Sequence, residues 1–221
     1  MLATGGSLCA QDNTNAWLRY AVRTPIGPKW TLHSEPDFRT RLGPGTFNQF
    51  LLRVDAQRKV ASVHTVGIGI VGVRSVSNGR MPVLEWRPQF TWSTRPVWAR
   101  DLMMRGRLEW RQQYTSGSSE TISTLRCRLL IQLEAPFRRD AQGMRSGLRG
   151  HGEILVRAYR TTTEGTSSDR PYDQSRLAMA YVTRLSGHVE LEGAWLLMFR
   201  DSGLVEQYIR VGVVHTLGHK A

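Results

Sequence analysis

The feature that most constrains this chain is an alternation of apolar and polar residues with a period of two, sustained over windows of about 9–15 residues. In one window, Trp86, Phe90 and Trp92 alternate with Glu85 and Arg87. Comparable windows surround Leu108, Leu129 and Leu197, while helical periodicity is scarce. The pattern therefore predicts an all-β protein whose long strands are apolar on one face and charged on the other.

The same alternation predicts eleven strands and the turns between them. The strands are expected near 16–23, 30–41, 46–56, 62–73, 82–93, 101–114, 121–135, 148–161, 172–184, 188–200 and 205–217. Tight turns are expected at Ser186-Gly187, Pro25 to Pro28, Gly43 to Gly45 and Gln57 to Lys59, and longer polar connections at 137–147 and 162–171. Because composition does not change along the chain, we expect one barrel domain over 11–221.

Long strands of this kind close either as a soluble barrel or sandwich, apolar inside, or as an outer-membrane barrel, apolar outside. The expected lengths exceed the usual soluble strand of about 5–6 residues but suit a tilted membrane crossing. Aromatic residues near strand ends suit interfacial girdles; they are Trp30, Trp86, Trp92, Trp98, Tyr114, Tyr181 and Phe199. The sequence therefore predicts a single antiparallel up-and-down transmembrane β-barrel of 10–12 strands. Since bacterial single-chain barrels have even strand numbers, one of the eleven windows is expected to be miscounted.

Several of these windows resemble one known family. Its central block is similar to Arg105-x-Arg107-x-Glu109-x-Arg111, Arg126-x-Arg128 and Gly152-Glu-Ile-Leu-Val156, and its C-terminal block to Gln174-x-Arg176, Tyr181 and Leu185 to Glu192 leading into Trp195. Trp17 and Glu85-x-Arg87 also fit. These residues resemble the family of domain of unknown function 2490. The resemblance implies a bacterial outer-membrane β-barrel of unknown function and carries over no catalytic residue.

The beginning of the chain supports the same compartment. Residues 1–10 are small, apolar and uncharged and precede a polar run, so we expect the back half of a signal peptide, or alternatively an unstructured terminus. The expected partners are outer-membrane lipid and lipopolysaccharide, and the barrel-assembly machinery during insertion. With only Cys9 and Cys127, a framework of disulfides and a four-cysteine zinc site are excluded.

Charge is the second strong feature, because 27 of the 30 basic residues are arginine and the net charge is +12. An arginine facing lipid at mid-membrane costs about 2–4 kcal/mol, so the charged rows are expected to face the lumen. The predicted lumen residues are Glu85, Arg87, Arg105, Arg107, Glu109, Arg111, Arg126, Arg128, Glu134, Glu153 and Arg157. Such a lumen is either a structural network that holds the barrel shut or a narrow path for a small anionic solute.

Other function classes have less support from the residues. The six histidines, His33, His64, His151, His188, His215 and His219, lie in no recognisable catalytic motif, so no catalytic residue is assigned. A lipid-modifying or hydrolytic barrel enzyme remains the alternative. We expect no cofactor and no metal site. Nucleic-acid binding is not expected, because arginines and aromatic residues fall on opposite faces of the same strands.

Overall fold

The computed structural model describes residues 14–218, apart from 44, 46, 142, 163–164 and 167–170. The predicted signal remnant at 1–10, with Cys9, and His219 lie outside the described residues. The strands are β1 Thr14–Pro25, β2 Trp30–Arg41, β3 Phe47–Lys59, β4 His64–Ser77, β5 Val83–Thr94, β6 Leu102–Thr115, β7 Thr121–Asp140, β8 Gly143–Thr162, β9 Gly165–Thr166, β10 Tyr172–Arg184, β11 Val189–Arg200 and β12 Val205–Thr216. Across the described part of the chain, no helix is long and apolar enough to cross a bilayer.

Eleven long strands close into one barrel, and the two-residue β9 extends only the end of β8. Successive long strands pair antiparallel, including β8 with β10. The barrel closes where β1 pairs with β12, and this one seam is parallel, running from Thr14↔Gln207 to Arg23↔Thr216. The eleven predicted strands are therefore confirmed, whereas the expectation of an even number is wrong. A barrel of alternating strands needs an even strand number only when its first and last strands pair antiparallel. Here they pair parallel, and the parallel pair satisfies the same backbone groups.

Because neighbouring strands alternate in direction, the connections fall at two ends of the barrel. We call one end rim A; it carries the connections 26–29, 60–63, 95–101 and 185–188, the short link between β7 and β8, and the end of β12. The opposite end, rim B, carries the start of β1, the ends of β2 and β8, and the connections 78–82, 116–120 and 201–204. The first strand thus enters at rim B and the last leaves at rim A.

Two predicted connections differ from the structure. Residues 137–147 are not a long loop, because β7 continues to Asp140 and β8 begins at Gly143. This hairpin extends past the neighbouring strands at rim A. Its charged residues are exposed to solvent there and do not have to face the lumen. The turn expected at Gln57 to Lys59 belongs to β3, and the connection to β4 is 60–63.

The outer surface of the barrel is apolar. Outward side chains on β1, β4 and β11 include Leu18, Ile68 and Trp195, which are 55%, 65% and 49% exposed. The predicted girdle residues Trp30, Trp86, Trp92, Tyr114 and Tyr181 are also exposed on strands, and Trp98 is exposed on the connection 95–101. Apolar residues outside and charged residues inside are the reverse of a soluble barrel.

The lumen is filled unevenly along its length. Near rim B it holds a cluster of Trp17, Leu196, Met198 and Tyr208 and a second one of Leu51, Val71 and Val73. Toward rim A the inward residues include smaller ones, among them Ala21, Ala180, Ala194 and Gly67. Ala180 and Ala194 pack with Met144 and Val182 in a third cluster toward rim A, whereas the aromatic side chains Trp17 and Tyr208 fill the rim-B half.

Candidate functional site

The eleven predicted charged residues all lie on the lumen side of their strands. Each is buried or half-buried, while the residues beside it on the same strand are mostly the exposed apolar ones. Glu85 and Arg87 come from β5, Arg105, Arg107, Glu109 and Arg111 from β6, Arg126, Arg128 and Glu134 from β7, and Glu153 and Arg157 from β8. These eleven side chains thus share the inner face of β5 to β8, and their role in binding stays a prediction.

Glu109 is the most enclosed carboxylate of this set, with 1% of its side chain exposed. It faces Arg126 directly across the β6–β7 pair and forms an ion pair with it. Its second oxygen lies 3.4 Å from Nη1 of Arg128, two residues along β7. Arg126 also donates to Asp173 of β10 over 3.0 Å. One carboxylate thus holds a buried and a half-buried arginine at the centre of a network with members on β6, β7 and β10.

Glu153 and Glu85 continue the network on either side. Glu153 accepts from Nη2 of Arg128 at 2.7 Å and from Nη1 of Arg176 at 3.2 Å. Glu85 accepts from Nε of Arg111 at 2.8 Å and also pairs with Arg87 on its own strand. Each carboxylate therefore accepts hydrogen bonds from two guanidinium groups, so every donor pair is satisfied in part while each trio keeps a net positive charge.

Arg149 on β8 reaches across the neighbouring strand. Its register partner on β10 is Ala180, which is small and buried. Passing over that methyl group, Nη1 of Arg149 lies 3.1 Å from Glu190 and 3.3 Å from Glu192, both on β11. Its Nε donates to Glu134 of β7 at 3.2 Å. One arginine of β8 thus links β7 to β11 across β10.

Arg157 lies apart from the central network, at the rim-B end of β8. It forms ion pairs with Asp173 and Asp201, the latter on the connection between β11 and β12. Because both acids lie close to rim B, Arg157 fastens this rim and does not line the central lumen.

Sequence reasoning missed part of the lumen wall, mainly on β1, β2 and β3. Glu35 of β2 forms ion pairs with Arg19 of β1 and Arg53 of β3. The alternation along β2 is hidden because Ser34 and Pro36, which are not apolar, occupy two outward positions. The strand itself was predicted at 30–41, and the charges at every second residue were the signal that could have placed Glu35 and Asp37 in the lumen.

The orientation of Trp17 is another missed feature, since it points inward whereas most aromatic side chains on the strands are exposed on the outer face. It is 7% exposed and lies between two guanidinium groups, 3.9 Å from that of Arg39 and 5.0 Å from that of Arg210. Its ring also meets Tyr208 edge-on, with centroids 6.1 Å apart. Cation–π contacts with a desolvated indole anchor both arginines to the rim-B cluster.

The barrel interior holds two neighbouring cavities of about 210 Å³ and 100 Å³, which share lining residues such as Arg19, Arg53 and Arg105. The wall of the larger one carries twelve arginines but only four carboxylates, those of Glu35, Asp37, Glu153 and Glu192. Arg95, on a rim-A connection, and Arg23, near the rim-A end of β1, contribute to it and are exposed, so the cavity reaches this rim. The interior surface is therefore suited to a small anion.

The histidines are distributed between the lumen and the rims. His33 and His151 line the cavities, and His215 is on the outer side of β12, where its Nδ1 lies 3.2 Å from the hydroxyl of Tyr20. In the described part of the chain, no group of three histidine, cysteine or carboxylate ligands could hold a metal ion. Cys127 is free and exposed on the outer face of β7.

Comparison with known proteins gives a family but no activity. The family model described as a protein of unknown function (DUF2490) matches residues 14–204, which includes every strand from β1 to β11. No curated protein matches the chain.

Proposed function

This chain belongs to the DUF2490 family of proteins of unknown function, and on that premise we propose that it is an outer-membrane β-barrel whose lumen holds small anions. The observation that carries the proposal is the division of the barrel wall into an apolar outside and an arginine-rich inside. The two parts of the proposal, placement in the membrane and affinity for anions, rest on these two faces separately.

The outer face supports membrane placement. Leu18, Phe50, Ile68, Trp86 and Leu129 are all outward and exposed on strands distributed around the barrel. A continuous apolar surface of this kind is unfavourable in water, and large exposed apolar patches mark binding to membranes or partners. A closed barrel leaves no unpaired strand edge, which is the condition for a β-structure to span lipid.

The inner face supports anion binding. The larger cavity has three times as many arginines as carboxylates on its wall. Acids behind the wall, such as Glu85 and Glu109, compensate some of these arginines, but several guanidinium groups still face the cavity without a carboxylate. The rim-B clusters block a wide passage, so the geometry favours an anion entering from rim A over free flow through a broad pore.

Membrane placement can be tested with single-tryptophan variants of the full chain. In one variant only Trp195, on the outer face, is retained, and in its matched partner only Trp17, inside the lumen, is retained. After reconstitution into vesicles of brominated phosphatidylcholine, we expect strong quenching of Trp195 fluorescence and weak quenching of Trp17. Equal quenching of both, or a monodisperse protein that needs no detergent, would overturn the placement.

A hydrolytic barrel enzyme is the second candidate, and one observation favours it. His33 lies between two carboxylates in the smaller cavity, with Nδ1 3.5 Å from Asp55 and Nε2 3.7 Å from Glu35. Thr91 and Ser93 line the same cavity and could supply a nucleophile. Release of fatty acid from phospholipid vesicles that His33→Ala abolishes and His188→Ala preserves would support this candidate; no release by the wild type would exclude it for that substrate.

A further inference from the structure

Three of the arginines that line the cavities differ from the others because no described carboxylate forms an ion pair with them. Among the described residues, Arg23, Arg105 and Arg107 form no ion pair with an acid, and the hydrogen-bond partner of Arg105 is the Met103 sulfur at 3.8 Å. Nε of Arg107 is buried without a hydrogen-bond partner. By contrast, Arg19, Arg53, Arg128, Arg149, Arg176 and Arg210 each lie beside a carboxylate.

The three arginines approach one space from two sides of the barrel. Arg105 and Arg107 are two residues apart on β6 and therefore share its inward face, while Arg23 comes from β1. In the closed sheet, β6 is separated from β1 by β2 to β5 on one side and by the remaining strands on the other. All three line both cavities. Opposite walls thus present guanidinium groups to the same volume.

The acids nearest to this space are already engaged. Glu35, whose charge acts on both Arg23 and Arg105, is shared by Arg19 and Arg53. Glu190, whose charge acts on Arg23 more strongly than that of Glu35, forms an ion pair with Arg149. The other charges acting most strongly on Arg105 are the guanidinium groups of Arg53, Arg19 and Arg23. Like charges held close together in a partly desolvated lumen repel one another unless an anion joins them.

We propose that Arg23, Arg105 and Arg107 form a binding site for a phosphate group inside the rim-A half of the lumen. A guanidinium group offers a planar fork of donors that matches two oxygens of a phosphate, so three forks can engage one tetrahedral dianion from different sides. A halide has no separate oxygens to occupy those forks. The cavity of about 210 Å³ is smaller than a typical drug-sized pocket and fits a small ion.

The site deepens the proposed function and rests on its anion-binding part, but it does not depend on membrane placement. Phosphate could come from the free ion or from a lipid headgroup. Because the arginines lie inside the wall and are reached from rim A, both sources are compatible with the chemistry, and the experiment separates them.

The test is calorimetric titration of the full chain, refolded in a nonionic detergent free of lipid, with inorganic phosphate, sulfate or chloride. We expect saturable phosphate binding, with chloride at least tenfold weaker. Arg105→Gln and Arg107→Gln should each weaken phosphate binding roughly ten- to a hundredfold, since each removes a charge-assisted pair of hydrogen bonds. Arg107→Lys should weaken it less, because it keeps the charge and loses only the fork.

The matched control is Arg74→Gln, which removes an exposed outward arginine from β4 and should leave phosphate binding unchanged. Heat-dependent migration on SDS gels confirms that each variant is folded. Phosphate affinity equal to chloride affinity, or binding unchanged by Arg105→Gln together with Arg107→Gln, overturns the site.

A second arm uses vesicles containing phosphatidic acid. Retention of this lipid by the wild type and by the double variant alike, without any binding of inorganic phosphate, places lipid contact on the outer face and overturns the lumen site. If the phosphate site is overturned, the result of the brominated-lipid experiment on membrane placement still stands. If membrane placement is overturned, phosphate binding in detergent still stands. The two experiments therefore test membrane placement and the phosphate site separately.

Discussion

The hydroxyl of Tyr20 lies 3.2 Å from Nδ1 of His215, and this contact crosses the seam where the first and last strands of the barrel run parallel. Tyr20 and His215 are two rows apart in register, with Val213 opposite Tyr20. The contact joins residues from the two ends of the chain on the outer surface. It shows that side chains as well as backbone hydrogen bonds close the ring.

The parallel register predicts a specific cross-link. In a chain without Cys9 and Cys127, Leu18→Cys together with Val211→Cys places two outward cysteines at paired positions of the seam. We expect oxidation to close the chain into a ring, which migrates differently from the reduced form on denaturing gels. Leu18→Cys with Val205→Cys is the control, because Val205 lies six residues earlier on β12. Cross-linking of the control pair alone would show that the seam has another register.

Removing the carboxylate of Glu109 should destabilise the barrel strongly. Glu109→Gln leaves Arg126 and Arg128 without the acid they share, and breaking a buried ion pair by removing one partner costs about 3–5 kcal/mol. The measurement is urea unfolding in detergent micelles, followed by tryptophan fluorescence. Glu120→Gln, at an exposed connection near rim B, should change the free energy of unfolding by less than about 0.5 kcal/mol. Equal stability of the two variants would mean that Glu109 does not organise the network.

Gly69 on β4 should not tolerate a side chain. A Cβ atom there would lie 2.4 Å from Cβ of Asp55 and 2.5 Å from the backbone oxygen of Val54, so β3 and β4 would have to move apart. We expect Gly69→Ala to cost about 1–3 kcal/mol, as overpacking does elsewhere. At Gly193 on β11 a Cβ would meet nothing within 4 Å, so Gly193→Ala is the matched control. The thermal transition of the heat-modifiable band measures both, and a Gly69→Ala transition at the Gly193→Ala temperature would contradict the close approach.

The rim-B cluster should act as a barrier to ions. Trp17→Ala with Tyr208→Ala removes two of its four buried side chains and frees the guanidinium groups that stack on the indole. In planar bilayers we expect a conductance several-fold above that of the wild type, with chloride preferred over potassium because the wall remains rich in arginine. The control is Trp195→Ala, which alters only the outer face. Unchanged conductance, or preference for cations, would show that this cluster is not the barrier.

Most of the architecture followed from parity along single strands. Arg107 and Glu109 could be placed inside because their neighbours Leu108 and Trp110 are apolar, and the cost of a charge in lipid leaves one orientation. The same rule did not place the charged residues of β2, because Ser34 and Pro36 occupy outward positions where large apolar side chains were expected. Residues 137–147 were wrongly predicted as a loop because the β7–β8 hairpin extends beyond the barrel rim. There, charged side chains on both faces meet solvent, so polarity no longer alternates along the strand.

Pairing across the barrel could not be predicted from the sequence. The pairing of arginines with acids depends on the stagger between strands and on how β1 joins β12. Neither can be read from the sequence of a single strand. Arg149 on β8 reaches Glu192 on β11 across β10, where the register partner of Arg149 is the small Ala180. The isolation of Arg23, Arg105 and Arg107 from acids is likewise a property of the closed wall, not of their own windows.

Because the number of long strands is odd, the first strand begins at one end of the barrel and the last strand ends at the other. In an even-stranded barrel both lie at the same end. The chain enters β1 at rim B and leaves β12 at rim A. Short epitopes fused ahead of Thr14 and after Thr216 would therefore lie on opposite sides of any membrane that the barrel spans. A protease added to one side would remove one epitope and leave the other. The epitope that remains would show which rim faces the protease.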